Sequence, residues 1–362
     1  MRTTRIFVAI AATLIGAASA IVVRFARAIV VPPKRIAPDL TIRAVDRARG
    51  RIVLSDAESS RLAGRYGLWF GNDTGYARIG AITNVSDQGI ERELLEVVSG
   101  TPRAGMRARD SSWFYVTPAD VGLVSESVNV RGPLGAMPAW LIRATGDGGD
   151  WVIHVHGRTA SRSETLRSAR VSADAGWTSL CVSYRNDAGA SSSDDARYGL
   201  GGSEWADVCA AIEFARESGA RRIVLFGWSM GALIALRAAA AEQDANQSDI
   251  VGIAIESGVL DWSNVFAQHA RLAHLPNAVA SMAQSLLASR LAPIATGVAE
   301  PIDWPALDGG HIVATLGLPV LALHSASDRY VPIGPVRELA ALLPETVELH
   351  EFDGAGHVRL WN

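Results

Sequence analysis

The hydrophobic and polar positions fall into three rhythms along the chain. After Arg2 and Arg5, the run Ile6 to Val23 carries no charge at all. From Thr41 to about 120 the apolar positions come in short runs: Thr41–Val45, Arg51–Leu54, Tyr66–Phe70, Tyr76–Thr83 and Ile90–Val98. These are rich in β-branched and aromatic residues and are separated by turns containing Gly and Asp, a pattern that predicts strands. Little in that stretch has the spacing of a long helix. Pro32-Pro33 and Pro38 mark a linker before it. Residues 32–124 are therefore expected to form a small β-rich accessory domain, with Arg107, Arg109 and Asp110 as a solvated charged loop.

From about 125 the rhythm becomes strand, helix, strand, which predicts a mostly parallel sheet with helices on both faces. Eight strands are expected: Ser127–Val130, Ala139–Ala144, Trp151–Val155, Thr178–Tyr184, Arg222–Phe226, Ile250–Ile255, Leu318–Leu323 and Val347–Phe352. Ser163–Ala175, Glu204–Glu217 and Ala232–Glu242 have helical spacing between them. The connection 259–316 is long, with helical periodicity in Phe266–Leu275 and Ala278–Ala292, and predicts a helical cap over the mouth of the site. Residues 125–362 are thus expected to be one α/β domain with a cap insertion.

The N-terminal run is at the boundary between a signal peptide and a membrane span. Ala18-Ser19-Ala20 fits small-residue cleavage, whereas the unbroken run and Arg24 and Arg27 beyond it fit a retained anchor. Both readings target the chain to a membrane or export it, and both set residues 1–31 apart from the fold. The net charge of −3 gives no footprint for nucleic acid. Cys181 and Cys209 make no disulfide framework or metal spacing; they read as buried thiols, with one bridge open if the domain is exported. His154 and His156 share a strand face, but no third ligand with suitable spacing accompanies them. Neither a cofactor nor a metal is implied. Asp187, Asp194 and Asp195 read as solvated loop charges near the rim of the site.

Chemistry enters at Gly227-Trp228-Ser229-Met230-Gly231. A run of Ile, Val, Leu and Phe leads into this Gly-x-Ser-x-Gly turn and an Ala/Leu-rich helix leaves it. A tight strand-to-helix turn leaves room only for glycine two positions either side of the serine. A serine hydroxyl needs a histidine to accept its proton and a carboxylate to orient that histidine. Asp328 follows the strand ending at Leu323, and His357 sits on a glycine-flanked loop after the last strand. The order Ser229, Asp328, His357 is that of a nucleophile, an acid and a base carried on three strand ends. Glu256, at the end of the preceding strand, is the alternative acid. Oxyanion donors are expected from the amides of Met230 and, after His156-Gly157, Arg158. The Arg158 side chain is expected either to meet an acidic group on a substrate or to pair with Glu164.

These residues resemble the α/β-hydrolase superfamily, within it the prolyl-oligopeptidase-like and dienelactone-hydrolase-like branches. The resemblance covers roughly 125–360 and rests on His156-Gly157-Arg158, Ser183-Tyr184-Arg185-Asn186-Asp187, the Ser229 pentapeptide, Asp328-Arg329-Tyr330-Val331-Pro332 and Gly356-His357. It implies an α/β-hydrolase fold and a serine hydrolase that cleaves small-molecule carboxylic esters through an acyl-enzyme on Ser229. A peptidase or thioesterase with the same triad is the alternative within that chemistry. A membrane-tethered binding protein without turnover is the alternative outside it. One departure is expected to matter. Only Val358-Arg359-Leu360-Trp361-Asn362 follow His357, where the resemblance calls for a final helix, so His357 is expected to be loosely held and part of the sheet uncovered.

Overall fold

The computed structural model describes the backbone of residues 2–33, 35–146, 148–247 and 249–362, with side chains from Gly16 onward. Strands β1 (Leu40–Asp46), β2 (Arg51–Leu54), β3 (Tyr66–Phe70), β4 (Gly75–Ser86), β5 (Gly89–Ser99) and β6 (Arg107–Ser111) close into a barrel of order β1-β2-β5-β4-β3-β6. Their period-two alternation has a physical counterpart: Ile52 and Leu54 of β2 are buried while Arg51 and Val53 are half-buried. Leu40, Ile42, Leu68 and Ile79 share that core. Arg92 is buried with them, and its guanidinium donates to the carbonyls of Gly80, Ser60, Leu62 and Gly64 at 2.7–3.1 Å. Backbone dipoles thus replace the counter-ion this charge would otherwise need.

The second unit is an eight-stranded sheet of order β14-β13-β12-β11-β9-β10-β8-β7. Its strands are β7 (Glu126–Gly132), β8 (Gly135–Ile142), β9 (Asp150–Val155), β10 (Thr178–Val182), β11 (Arg222–Trp228), β12 (Ile250–Glu256), β13 (Val320–Ser325) and β14 (Val347–Phe352). The β7–β8 and β8–β10 pairs are antiparallel, and the pairs from β10 through β14 are parallel. Strands β9 and β10 are buried along almost their whole length, as continuous apolar runs require. The expected fold class and all eight expected strands are present.

Helices α2 (Leu166–Asp174), α3 (Trp205–Glu217), α4 (Met230–Asp244), α5 (Trp262–Leu272), α6 (Asn277–Leu287), α7 (Ala292–Thr296), α8 (Gly309–Leu316) and α9 (Gly334–Leu342) surround the sheet. The long 259–316 connection is α5 through α8; α5 and α6 pack together, and α8 packs on α4. Cys181 and Cys209 are both free thiols, which burial pushes up to about 12.

Two expectations are corrected. Helix α1 (Arg2–Val30) does not stand wholly apart. Val22, Phe25, Ala26, Ile29 and Val30 are buried in the core of the α/β unit, a one-sided stripe at helical spacing. Phe25 meets Phe266 edge to face at 6.0 Å, and the Tyr198 amide donates to the Val30 carbonyl at 2.8 Å. All but Val22 of this stripe lies beyond the uncharged run, among Arg24 and Arg27. Gly16–Ala20, by contrast, are exposed. Among the described residues no helix is long and apolar enough to cross a membrane. The first part of the expected targeting run, through Ile15, lies outside the residues whose side chains are described.

The second correction concerns the residues after His357. Val358 and Trp361 pack on Val152, Phe226, Trp228 and Ala254, so this face of the sheet is covered without a helix.

Candidate active site

Ser229 sits at the turn between β11 and α4 with φ 52 and ψ −118, a conformation L-residues rarely adopt. The flanking glycines make it possible. A Cβ at Gly227 would run into Ala232, and one at Gly231 into the carbonyls of Val155 and His156. The Ser229 amide donates to the Glu256 carbonyl at 3.0 Å, which pins the turn to β12. Its hydroxyl is left pointing into a cleft of about 720 Å³.

His357 Nε2 lies 3.1 Å from Ser229 Oγ, and His357 Nδ1 lies 2.8 Å from Asp328 Oδ2. With Asp328 as acceptor, the proton resides on Nδ1 and Nε2 is free to accept from Ser229. The Asp328 carboxylate is wholly buried. Burial alone would raise its pKa, but the His357 charge and hydrogen bond and the amides of Val331 and Tyr330 hold it below the ordinary carboxylate value. Those amides donate to Oδ1 at 3.0 and 2.9 Å. His324, whose pKa burial lowers, donates from Nε2 to the Val331 carbonyl at 3.0 Å and steadies the same loop. Ser229, Asp328 and His357 are therefore brought together in one chain of hydrogen bonds.

Glu256 is not in that chain. Its carboxylate accepts from the indole of Trp228 at 2.9 Å, from the Leu360 amide at 3.3 Å and from the indole of Trp361. It anchors the residues that follow His357. Arg167 donates to the Val358 carbonyl at 3.0 Å and to Asn362 Oδ1 at 2.9 Å, while the Val358 amide donates to Ser257 Oγ at 3.2 Å. Five residues thus do the holding expected of a helix, which corrects the expectation of a loosely held His357.

Of the charged positions on β6, Arg107 is exposed as expected, but the other two are corrected. Asp110 is not solvated; it pairs with Arg359 at 2.6 Å, and Arg109 pairs with Asp73 at 3.0 Å. Both β6 residues line the cleft. Asp187 is no loop charge either: its Oδ2 accepts from His156 Nε2 at 2.7 Å and from the Tyr184 amide at 2.9 Å. The other ring nitrogen of His156 faces the Gly157 carbonyl at 2.9 Å, so both nitrogens meet acceptors. Burial lowers the His156 pKa, but Asp187 and that carbonyl outweigh it and the net shift is upward. His154 lies between Ser168 Oγ and Ser179 Oγ, and burial pushes it down to about 3. Among the described residues no group of three or more His, Cys, Asp or Glu is arranged to hold a metal ion.

Gly157 approaches Ser229 so closely that a Cβ there would lie 3.1 Å from Ser229 Cβ. Its amide donates to Glu164 Oε2 at 2.7 Å. The next amide, that of Arg158, and that of Met230 donate to no protein acceptor among the described residues. Both residues line the cleft beside Ser229. The arrangement can present two N–H groups to a developing oxyanion.

Two parts of the wall were not foreseen. Ile29 and Val31, at the end of α1, face the cleft, and so does His269 of α5. His269 is pushed down to about 4, first by burial and then by the positive charges of Arg158 and His357.

A family model described as "Alpha/beta hydrolase family" matches residues 152–362, and one described as a domain of unknown function matches 41–111. No curated protein matches the chain. Among solved structures, an esterase of Pyrococcus furiosus superposes with a TM-score of 0.51 at 20% identity over 68% of this chain and 87% of that one. An esterase of Pyrobaculum calidifontis gives 0.50 at 16% identity, over 68% and 81%. At such identities the likeness establishes the fold.

Proposed function

Because the chain belongs to the alpha/beta hydrolase family, we propose that it is a serine esterase acting on small carboxylic esters. The observation that carries this reading is the Ser229–His357–Asp328 chain of hydrogen bonds at the floor of the cleft. That the neighbours of like fold are esterases agrees with it. In the acylation step Ser229 Oγ forms a bond to the ester carbonyl carbon while its proton passes to His357 Nε2. The oxyanion is met by the amides of Met230 and Arg158. Collapse breaks the carbon–oxygen bond to the alcohol, which leaves with the proton held on Nε2. Water repeats the sequence on the acyl-enzyme: His357 takes its proton, and Ser229 departs with it as the acid is released. Asp328 remains ionised throughout and orients the imidazole. The barrel and the end of α1 wall the cleft, which favours small esters over polypeptides.

The same reading associates the protein with a membrane through the residues before Val22. The uncharged run Ile6–Val23 and the exposed Gly16–Ala20 support it, and the packing of Val22 to Val30 gives a natural end to the segment. N-terminal sequencing of the membrane-bound and released fractions separates a retained anchor from cleavage after Ala20.

Hydrolysis of 4-nitrophenyl butyrate by the full chain tests the esterase reading. Turnover in the wild type and its loss in Ser229→Ala are expected. A folded wild type without turnover on a series of short and medium acyl esters would contradict it.

A further inference from the structure

We propose that the cleft is built for an anionic ester, one whose acyl or alcohol part carries a carboxylate or phosphate, and that the Arg158 guanidinium binds that group. The proposal rests on the esterase reading and names its substrate class.

Among the arginines that line the cleft or are covered by the fold, Arg158 combines a place beside Ser229 with the lack of a carboxylate partner; Arg162 and Arg237 also lack one, but they lie over Trp140 and Trp205 and do not line the cleft. Arg185 pairs with Asp207 at 2.8 Å, Arg216 with Asp249 at 2.7 Å and with Glu242 at 2.6 Å, and Arg359 with Asp110 at 2.6 Å. Arg92 and Arg167 spend their N–H groups on several carbonyl or amide oxygens. Arg158 has a single hydrogen bond from its side chain, to the Ile29 carbonyl at 3.4 Å, the long end of the range. Among the described residues it forms no ion pair. Two carboxylates of the neighbouring loops are engaged elsewhere, Glu164 by the Gly157 amide and Asp187 by His156 and the Tyr184 amide. The expected alternative, an Arg158–Glu164 pair, is therefore not formed.

Arg158 is half-buried in the cleft wall with no counter-ion among the described residues, and burial lowers its pKa. A ligand anion supplies what is missing, and the planar fork suits carboxylate and phosphate alike. The position is right for substrate, because Arg158 and Ser229 line the same cleft. His269 lines it too and makes no side-chain hydrogen bond among the described residues, so its neutral ring can donate one N–H to the same anion. Ile29, Val31, Ile36, Val259 and Val265 give the wall an apolar part, while Arg109, Asp110 and Arg359, which also line it, are paired with Asp73 or with each other. An apolar stem ending in one negative charge matches this lining.

The test compares 4-nitrophenyl glutarate with 4-nitrophenyl pentanoate, esters of equal chain length that differ by the terminal carboxylate. In the wild type the kcat/KM ratio should favour the glutarate. Arg158→Met should reduce that ratio by about 30-fold, and Arg158→Lys should restore part of it. A second pair, 1-butyryl-glycerol 3-phosphate against 1-butyryl-glycerol, reads whether the anion sits on the alcohol side. An unchanged ratio for both pairs in Arg158→Met, with the neutral esters still hydrolysed, overturns this inference and leaves the esterase reading standing. If no ester is turned over, the esterase reading falls and binding decides the anion site. Calorimetry of monomethyl glutarate on Ser229→Ala should then show a complex that methyl pentanoate does not form, and its absence overturns the site. Inhibition of the wild type by the same two compounds needs no Arg158 variant, and equal inhibition counts against the site.

Discussion

Arg359 and Asp110 form an ion pair at 2.6 Å that ties the chain just beyond His357 to the last strand of the barrel. Arg359 also lies over the ring of Tyr66 at 5.1 Å, and Asn362 Nδ2 donates to the carbonyls of Arg65 and Ser112 at 2.7 and 3.0 Å. The barrel therefore helps hold the loop that carries His357. Asp110→Ala removes the counter-ion of a largely buried guanidinium and should destabilise the protein by about 3 kcal/mol. It should also lower kcat more than it raises KM, because the acylating geometry loosens while the apolar walls remain. Urea unfolding and steady-state kinetics on one ester read both effects.

Asp328 and Glu256 are both buried carboxylates at strand ends, yet they should behave differently. Asp328→Asn leaves His357 without the acceptor that fixes its tautomer and should reduce kcat by about 10⁴-fold. Glu256→Gln turns an amide donor toward indole donors, so its main effect should be on stability, about 1–3 kcal/mol. Its loss of kcat should stay within about 10-fold. Equal losses of kcat in the two variants would count against Asp328 as the acid.

The end of α1 belongs to the folded body. A protein beginning at Ile21 should keep the thermal midpoint of the full chain, whereas one beginning at Pro32 should melt about 10 °C lower or more. The reason is that Val22, Phe25, Ile29 and Val30 each lose a buried environment worth about 1.5 kcal/mol or more. Differential scanning calorimetry of the two truncations decides the point; equal midpoints would mean that the stripe adds no stability.

His156 gives a signed dependence on pH. Its folded pKa lies above its ordinary value of 6.5 because of Asp187 and the Gly157 carbonyl. The stability it contributes is therefore complete below about 6.5 and is lost as pH rises through the folded value. The midpoint of the wild type should fall from pH 6 toward pH 9 more steeply than that of His156→Asn. Parallel slopes would show that the imidazolium–Asp187 pair adds nothing.

The strands of the sheet and the elbow at Ser229 were legible because the physics that makes them is local. Apolar runs make buried parallel strands, and glycines at 227 and 231 are demanded by the turn itself. The carboxylate partners of the arginines were not legible, since Asp110 meets Arg359 across a domain boundary that no periodicity records. The stripe on α1 was missed because Arg24 and Arg27 were read as flanks of the targeting run, when they are the polar side of a turn whose other side, Phe25, Ala26, Ile29 and Val30, is buried. Asp187 was misread for a related reason: a Gly- and Ser-rich loop suggests solvent, but its carboxylate turns inward to His156.

Mass-spectrometric mapping of the adduct left by a fluorophosphonate on the full chain tests the central claim most directly. A single phosphonylated peptide carrying the label on Ser229, absent from Ser229→Ala and strongly slowed in His357→Ala, is the expected result. Labelling elsewhere in the folded protein, or none at Ser229, would contradict Ser229 as the nucleophile.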